Sequence, residues 1–272
     1  MEIQGLAFLP CLWVTWTLTG LCVAYTVTII EGHAPTYFLY ISETGSYSPE
    51  SVIFTTVFML SSILGATTIY FQYKFLDVQS AANEIHCSVS QKVLLAVGLS
   101  SCIGTSVVAV FQVEPFPVIH RTGAVVSLGL GAVYNLYQSK YLYQMSLSPP
   151  CVCHIRRTLS RMMAGALISF LLLKITLIYE LCNGSHCTEI CDASAVIAEW
   201  LSVLTFLLHY LTYYTDFQVG LLSDAGQDAV LDSICRSWTT APGIPAARVT
   251  SSGCAMKLTV TAEKAAGHSN PL

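Results

Sequence analysis

Six apolar runs, each close to the ~20 residues a helix needs to cross a bilayer, punctuate the chain: 6–30, 51–73, 93–113, 123–143, 162–181 and 193–214. No other feature constrains the fold as much. Backbone in hydrocarbon has no water to bond to, so each run must satisfy its own N–H and C=O groups as a helix. The side chains that would cover a soluble alternative are missing. Only 10% of the 272 residues are charged, against about 25% in soluble domains, and mean hydropathy is +0.61. The expectation is an all-α polytopic membrane protein: a six-helix transmembrane bundle over 1–218 and a disordered, Ser/Thr/Ala-rich tail over 219–272. A net charge of −4, without a basic, aromatic-interleaved patch, excludes nucleic acid as a partner.

The first run is too long for a signal-peptide core, and no basic residue precedes it, so it reads as a retained helix. Orientation follows from basic residues at helix ends. With both termini cytosolic, that side holds Lys74, Lys92, Lys140, Arg156, Arg157, Arg161 and four tail residues, while the opposite side holds only Arg121. Asn183-Gly-Ser185, an N-glycosylation sequon, then falls on the lumenal side, in agreement with the charge count. Helix three carries small residues at packing spacing (Gly98, Ser101, Cys102, Thr105, Ser106), and Gly123, Gly129 and Gly131 thin helix four. Such residues let helix backbones approach closely in lipid.

Residues 37–50, between the first two runs, hold no Lys or Arg and have the make-up of an ordered loop. Tyr37, Tyr40 and Tyr47 supply packing and Gly45 a turn. Ser48 and Pro49 suit an N-cap and a first helical position, and Glu50 suits the first turn, near the positive end of the helix dipole. Charge counting places this loop on the lumenal side.

Ionisable residues inside a span are functional candidates by default. Lys174 and Glu199 both fall roughly 9–10 Å below the lumenal edge at 1.5 Å rise per residue. They sit on helices joined by a short loop, which predicts an ion pair locking helices five and six, with a proton or cation path as the alternative. Cys182, Cys187 and Cys191 crowd the lumenal loop, where an oxidising compartment favours one disulfide among the three. The loop offers no closed four-ligand zinc set, and no metal or other cofactor is expected. Cys151 and Cys153, beside Arg156, Arg157 and Arg161, suit S-palmitoylation. Those arginines serve either to anchor topology or to hold anionic lipid headgroups. No Gly-x-Ser-x-Gly, His-Glu-x-x-His or phosphate loop occurs, and the lumenal Glu43, Glu50, Glu114, Glu189, Asp192, His33 and His120 lack ligand spacing. The chain reads as a non-enzyme.

One set of residues carries a resemblance. Tyr40-Ile41-Ser42-Glu43-Thr44-Gly45, Pro49-Glu50, Phe111-Gln112, His120-x-x-Gly123-Ala124, Glu199-Trp200 and Asp216-Phe217-Gln218, in that order along the chain, resemble the damage-regulated autophagy modulator (DRAM) family of the wider Frag/DRAM/Sfk membrane superfamily. The likeness spans roughly residues 5–220. Val110 stands where members typically carry Asn, and Glu43 where Asp is more frequent. The resemblance implies a lysosomal or endosomal protein that promotes autophagy and, in some members, apoptosis, through membrane-embedded interactions with lipids and protein partners. Other branches imply a plasma-membrane adaptor for a phosphatidylinositol 4-kinase, with Arg156, Arg157 and the tail as its contact surface. A small-solute or ion transporter using Lys174 and Glu199 is the third reading.

Overall fold

A computed structural model describes residues 6–33, 39–82, 89–145, 148–179, 181 and 184–219. The tail beyond 219, Tyr37, Cys182 and Asn183 lie outside them, and the tail and glycosylation expectations with them. The elements are α1 (Phe8–Ile30), a 3-10 turn (Ile41–Gly45), α2 (Glu50–Ala82), α3 (Val89–Val110), α4 (Pro117–Ala124), a π-helical turn (Val125–Gly129), α5 (Leu130–Met145), α6 (Pro150–Ile178), α7 (Ser185–Leu211) and α8 (Tyr213–Val219). All described regular structure is helical. Among the described residues five helices are long and apolar enough to cross a membrane: Phe8–Ile30, Glu50–Gln79, Ser90–Val110, Pro150–Ile178 and Ser185–Gln218. The remaining apolar run lies in the continuous stretch 117–145, which the π turn divides into α4 and α5.

Several helices overrun their apolar runs. α2, with 33 residues, extends about 50 Å at 1.5 Å per residue, well beyond a hydrocarbon core of about 30 Å. Hydropathy marks where lipid ends, and backbone hydrogen bonding carries on into the interface. The same effect corrects two loop assignments. Cys151 to Arg161 are not a loop but the first turns of α6, opened by Pro150 at N1, where the missing N–H costs nothing. Cys187 and Cys191 likewise lie in the first turns of α7. At α2 the shift is the other way. The helix starts at Glu50, after a cis Ser48–Pro49 peptide, and the Pro49 carbonyl accepts the Val52 N–H.

The helices pack in a closed circuit, α1 on α2, α2 on α3, α3 on α5, α5 on α6, α6 on α7 and α7 back on α1. Polarity is arranged as lipid demands. Ile103, Ile168, Leu172 and Ile197 face outward, each more than half exposed, while Thr17, Ser61, Ser101, Ser127, Asn135, Ser139 and Ser202 are buried. With no hydrophobic drive between helices in lipid, side-chain hydrogen bonds and close packing hold them together. Ser62 donates to the Cys102 carbonyl at 2.7 Å, Ser106 to Ser62 at 2.8 Å and Ser101 to the Ser127 carbonyl at 2.6 Å. Gly104 marks the closest approach, since a Cβ there would stand 2.5 Å from the Ser127 backbone nitrogen. Gly98, Gly123 and Gly131 also meet neighbours, but Gly129 faces open space and takes no part in packing.

Candidate functional site

The loop between α1 and α2 folds down onto α7 and is tied there by three side chains. The Glu199 Oε2 accepts the Ile41 backbone N–H at 2.7 Å. The Trp200 indole N–H donates to the Leu39 carbonyl at 3.0 Å, and the Tyr40 hydroxyl donates to Asp192 Oδ1 at 2.6 Å. The turn closes on itself as well: Glu43 accepts the Tyr40 N–H at 3.2 Å and Thr44 donates to the Ile41 carbonyl at 2.7 Å. Ile41 packs with Leu21 and Phe54, and a Cβ on Gly45 would stand 2.5 Å from the Phe54 ring, so only glycine fits. Where α2 begins, the fully buried Glu50 contacts His33 Nδ1 at 2.6 Å. Beneath the turn lies a cavity of about 90 Å³ whose lining includes Trp13, Ser61, His120, Glu199 and Phe206. His120 donates from Nδ1 to the Phe111 carbonyl at 2.6 Å, which ties the start of α4 to the end of α3.

Lys174 and Glu199 do not form the expected ion pair. The Lys174 ammonium rests 3.5 Å from the centroid of the Tyr40 ring, a cation–π contact, while Glu199 is engaged by the loop backbone. Asp192, Glu199 and Glu43 all lie within electrostatic reach of Lys174. The loop supplies both residues with partners that helix-to-helix reasoning leaves out.

At the opposite end of the bundle is a second polar cluster. Arg156, fully buried, meets Asp216 Oδ2 at 2.8 Å and donates to the Thr212 hydroxyl at 2.7 Å, the Thr212 carbonyl at 2.7 Å and the Ser148 hydroxyl at 3.0 Å. Asp216 also accepts from Gln72 at 2.9 Å and Ser148 at 2.8 Å. α2, α6, α8 and the segment before α6 thus meet in one network. Phe217 packs edge-on against Phe75, and Gln218 donates to the Tyr214 hydroxyl at 3.3 Å. His209, also buried, is 3.1 Å from the Ser160 hydroxyl. With Ser160 further bonded to the Arg156 carbonyl at 2.8 Å, that pair is structural. Arg156 is therefore turned into the bundle and away from its surface.

The cysteines depart from expectation too. Cys187 is a free, exposed thiol. Cys191 lies one helical turn beyond it on α7, and the third candidate, Cys182, lies outside the described residues. Cys151 is disulfide-bonded, so its sulfur is closed to acylation. Cys153 is free but buried, with its Sγ 3.5 Å from the Ser148 carbonyl. A buried thiol does not reach an acyltransferase. Among the described residues no three His, Cys, Asp or Glu side chains group as a metal site.

Comparison with known proteins matches the Frag1/DRAM/Sfk1/Cwh43P N-terminal domain over residues 5–220. The chain belongs to this family. Its relatives include DNA damage-regulated autophagy modulator protein 1 of Mus musculus, 34% identical over 222 residues that cover 79% of this chain and 92% of the relative. The Homo sapiens protein 1 is 34% identical over the same shares, and protein 2 of Bos taurus is 33% identical, covering 79% of this chain and 85% of the relative. No solved structure matches.

The DRAM-type motif residues, scattered in sequence, come together as two clusters and a strap. Tyr40 to Gly45 join Glu199 and Trp200 at one end, Asp216 and Phe217 join Arg156 at the other, and His120 bonds the Phe111 carbonyl between helices. Val110, at the departing position, is half exposed and outside these contacts. Sequence reasoning missed Asp192 as the Tyr40 partner, Arg156 as the Asp216 partner and His33 as the Glu50 partner. The one available signal was that Tyr40, Asp216 and Glu50 are motif polar groups, which burial obliges to have partners.

Two loop groups have shifted protonation. Burial, reinforced by the hydrogen bond to Asp192, raises the Tyr40 phenol and keeps it a donor. Burial outweighs the Tyr40 N–H and Lys174 and raises the Glu43 carboxyl above its usual 4.5. The folded turn therefore binds a proton more tightly than the unfolded chain. Glu43 contributes stability that is fully present below pH 4.5 and lost as pH rises through its folded value. Its edge is exposed to water, so the contribution is small. Thermal stability measured from pH 4 to pH 7 should show an acid-side gain in the native protein that is absent in Glu43→Gln.

Proposed function

We propose that this chain is a six-span membrane protein of lysosomes or endosomes, with both termini cytosolic, that modulates autophagy through interactions rather than catalysis. The observation that carries this reading is its kinship with DNA damage-regulated autophagy modulator proteins 1 and 2 across four-fifths of its length. The geometry supports it: the motif residues are spent on holding the bundle and its loop together, as suits a scaffold that presents surfaces. The stretch 117–145 supplies the sixth crossing despite its π turn, and the excess of basic residues on the side of the termini supplies the orientation. The 3-10 turn then faces the lumen, and the Asn183 sequon is a glycosylation acceptor.

The test is imaging of a tagged copy with a lysosomal marker, together with autophagic flux in cells with and without the gene. Lysosomal signal and a flux that falls at least twofold on deletion are expected. Confinement to the cell surface with unchanged flux would overturn the reading.

A further inference from the structure

Two neighbouring arginines on α6 have opposite fates. Arg156 points inward and is saturated by Asp216, Thr212 and Ser148. Arg157 points outward, its guanidinium 4.5 Å from the Tyr143 ring centroid. One turn along the same face is Arg161, and across the groove on α5 is Lys140. These three cations line a cleft of about 520 Å³ between α5 and α6, together with Tyr137 and Tyr143. No carboxylate lines it, and among the described residues none of the three cations has one within 4.0 Å. Among the described residues these three donors have no anion beside them, which leaves an electrostatic site without its counter-charge.

We propose that this cleft binds the phosphate of an anionic phospholipid headgroup. Arginine's planar fork matches phosphate oxygens two at a time, and lysine adds a point charge. The Tyr143 ring holds Arg157 in place, which reduces the entropy lost on binding. The cleft lies at the α6 end remote from Lys174 and the 3-10 turn, among exposed Tyr137 and Tyr143, where tyrosines mark a membrane–water interface. A lipid is favoured over a soluble phosphate by what adjoins the cleft. A second hollow of about 470 Å³ shares Tyr137 and Lys140 and continues along Val93, Val97 and Val133. Val93 and Val133 are 56% and 41% exposed, an open apolar track on which acyl chains can lie below the phosphate.

The test uses the full chain purified in a neutral detergent, with native mass spectrometry counting bound dioctanoyl phosphatidic acid, dioctanoyl phosphatidylcholine and inorganic phosphate. Phosphatidic acid should bind as a single adduct, and phosphatidylcholine at least tenfold more weakly. Each of Lys140→Gln, Arg157→Gln and Arg161→Gln should weaken binding about fivefold, as expected for one cation at a lipid surface. Lys74→Gln, outside the cleft, should change nothing and serves as the control. If inorganic phosphate displaces the lipid at equal concentration, the phosphate site stands and its ligand is soluble. If instead the variants bind phosphatidic acid as well as the native chain, or phosphatidylcholine binds equally, the proposal is overturned. Lys140 and Arg161 are exposed, so their variants fold even if Arg157→Gln does not.

Discussion

Asp216→Ala is expected to cause the largest loss of folded protein among single substitutions of the polar residues. Arg156 keeps its charge in any protein, and its side chain is fully buried against Asp216. Removing the carboxylate leaves that charge uncompensated and also strips acceptors from Gln72 and Ser148. Breaking one side of a buried pair costs about 3–5 kcal/mol, which corresponds to a fall in melting temperature of roughly 10 °C for a domain of this size. The pair as a whole is a different matter. Replacing buried ion pairs by packed apolar side chains is frequently neutral, so the double change Arg156→Met with Asp216→Leu should recover most of the stability lost in Asp216→Ala. Thermal unfolding in detergent checks both. A melting temperature for Asp216→Ala within 2 °C of the native value would contradict the network's role.

Glu199→Ala carries the second large effect, and it is local. Its carboxylate is the acceptor for the buried Ile41 amide, and a hydrogen bond to such a group contributes about 1.5–3 kcal/mol. Without it the amide is left without its partner, and the Tyr40 to Gly45 turn keeps only the Trp200 and Asp192 ties to α7. Glu199→Gln retains an acceptor oxygen of the same reach and should cost less than half as much. The ordering Ala worse than Gln separates the hydrogen-bond account from one based on charge, in which the two substitutions would be equally harmful.

What the sequence made legible follows from what lipid selects. Long apolar runs announce helices because no other open structure satisfies backbone in hydrocarbon, and the runs lie where the helices are found. Their ends were not legible. Polar turns such as Cys151 to Arg161 continue the α6 helix outside lipid, where hydropathy has nothing to say. The order of the loop was readable from its tyrosines, Gly45 and Pro49, but not its partners. Lys174 had a carboxylate available at matching depth on the next helix, and only the folded chain shows that the Tyr40 face occupies its ammonium. Arg156 and Arg157 look alike in sequence, adjacent and basic at a helix end. One hundred degrees of helix rotation sends the first into the bundle and the second to the surface.

The Tyr40 to Gly45 turn is a lid fastened to α7 through the Glu199 carboxylate. Hydrogen–deuterium exchange over residues 39–46 tests it most directly. In the native protein the Ile41 amide should be protected, exchanging at least tenfold more slowly than in Glu199→Ala, with peptides from α6 unchanged between the two. Fast exchange at Ile41 in the native chain, or equal protection in the variant, would contradict it.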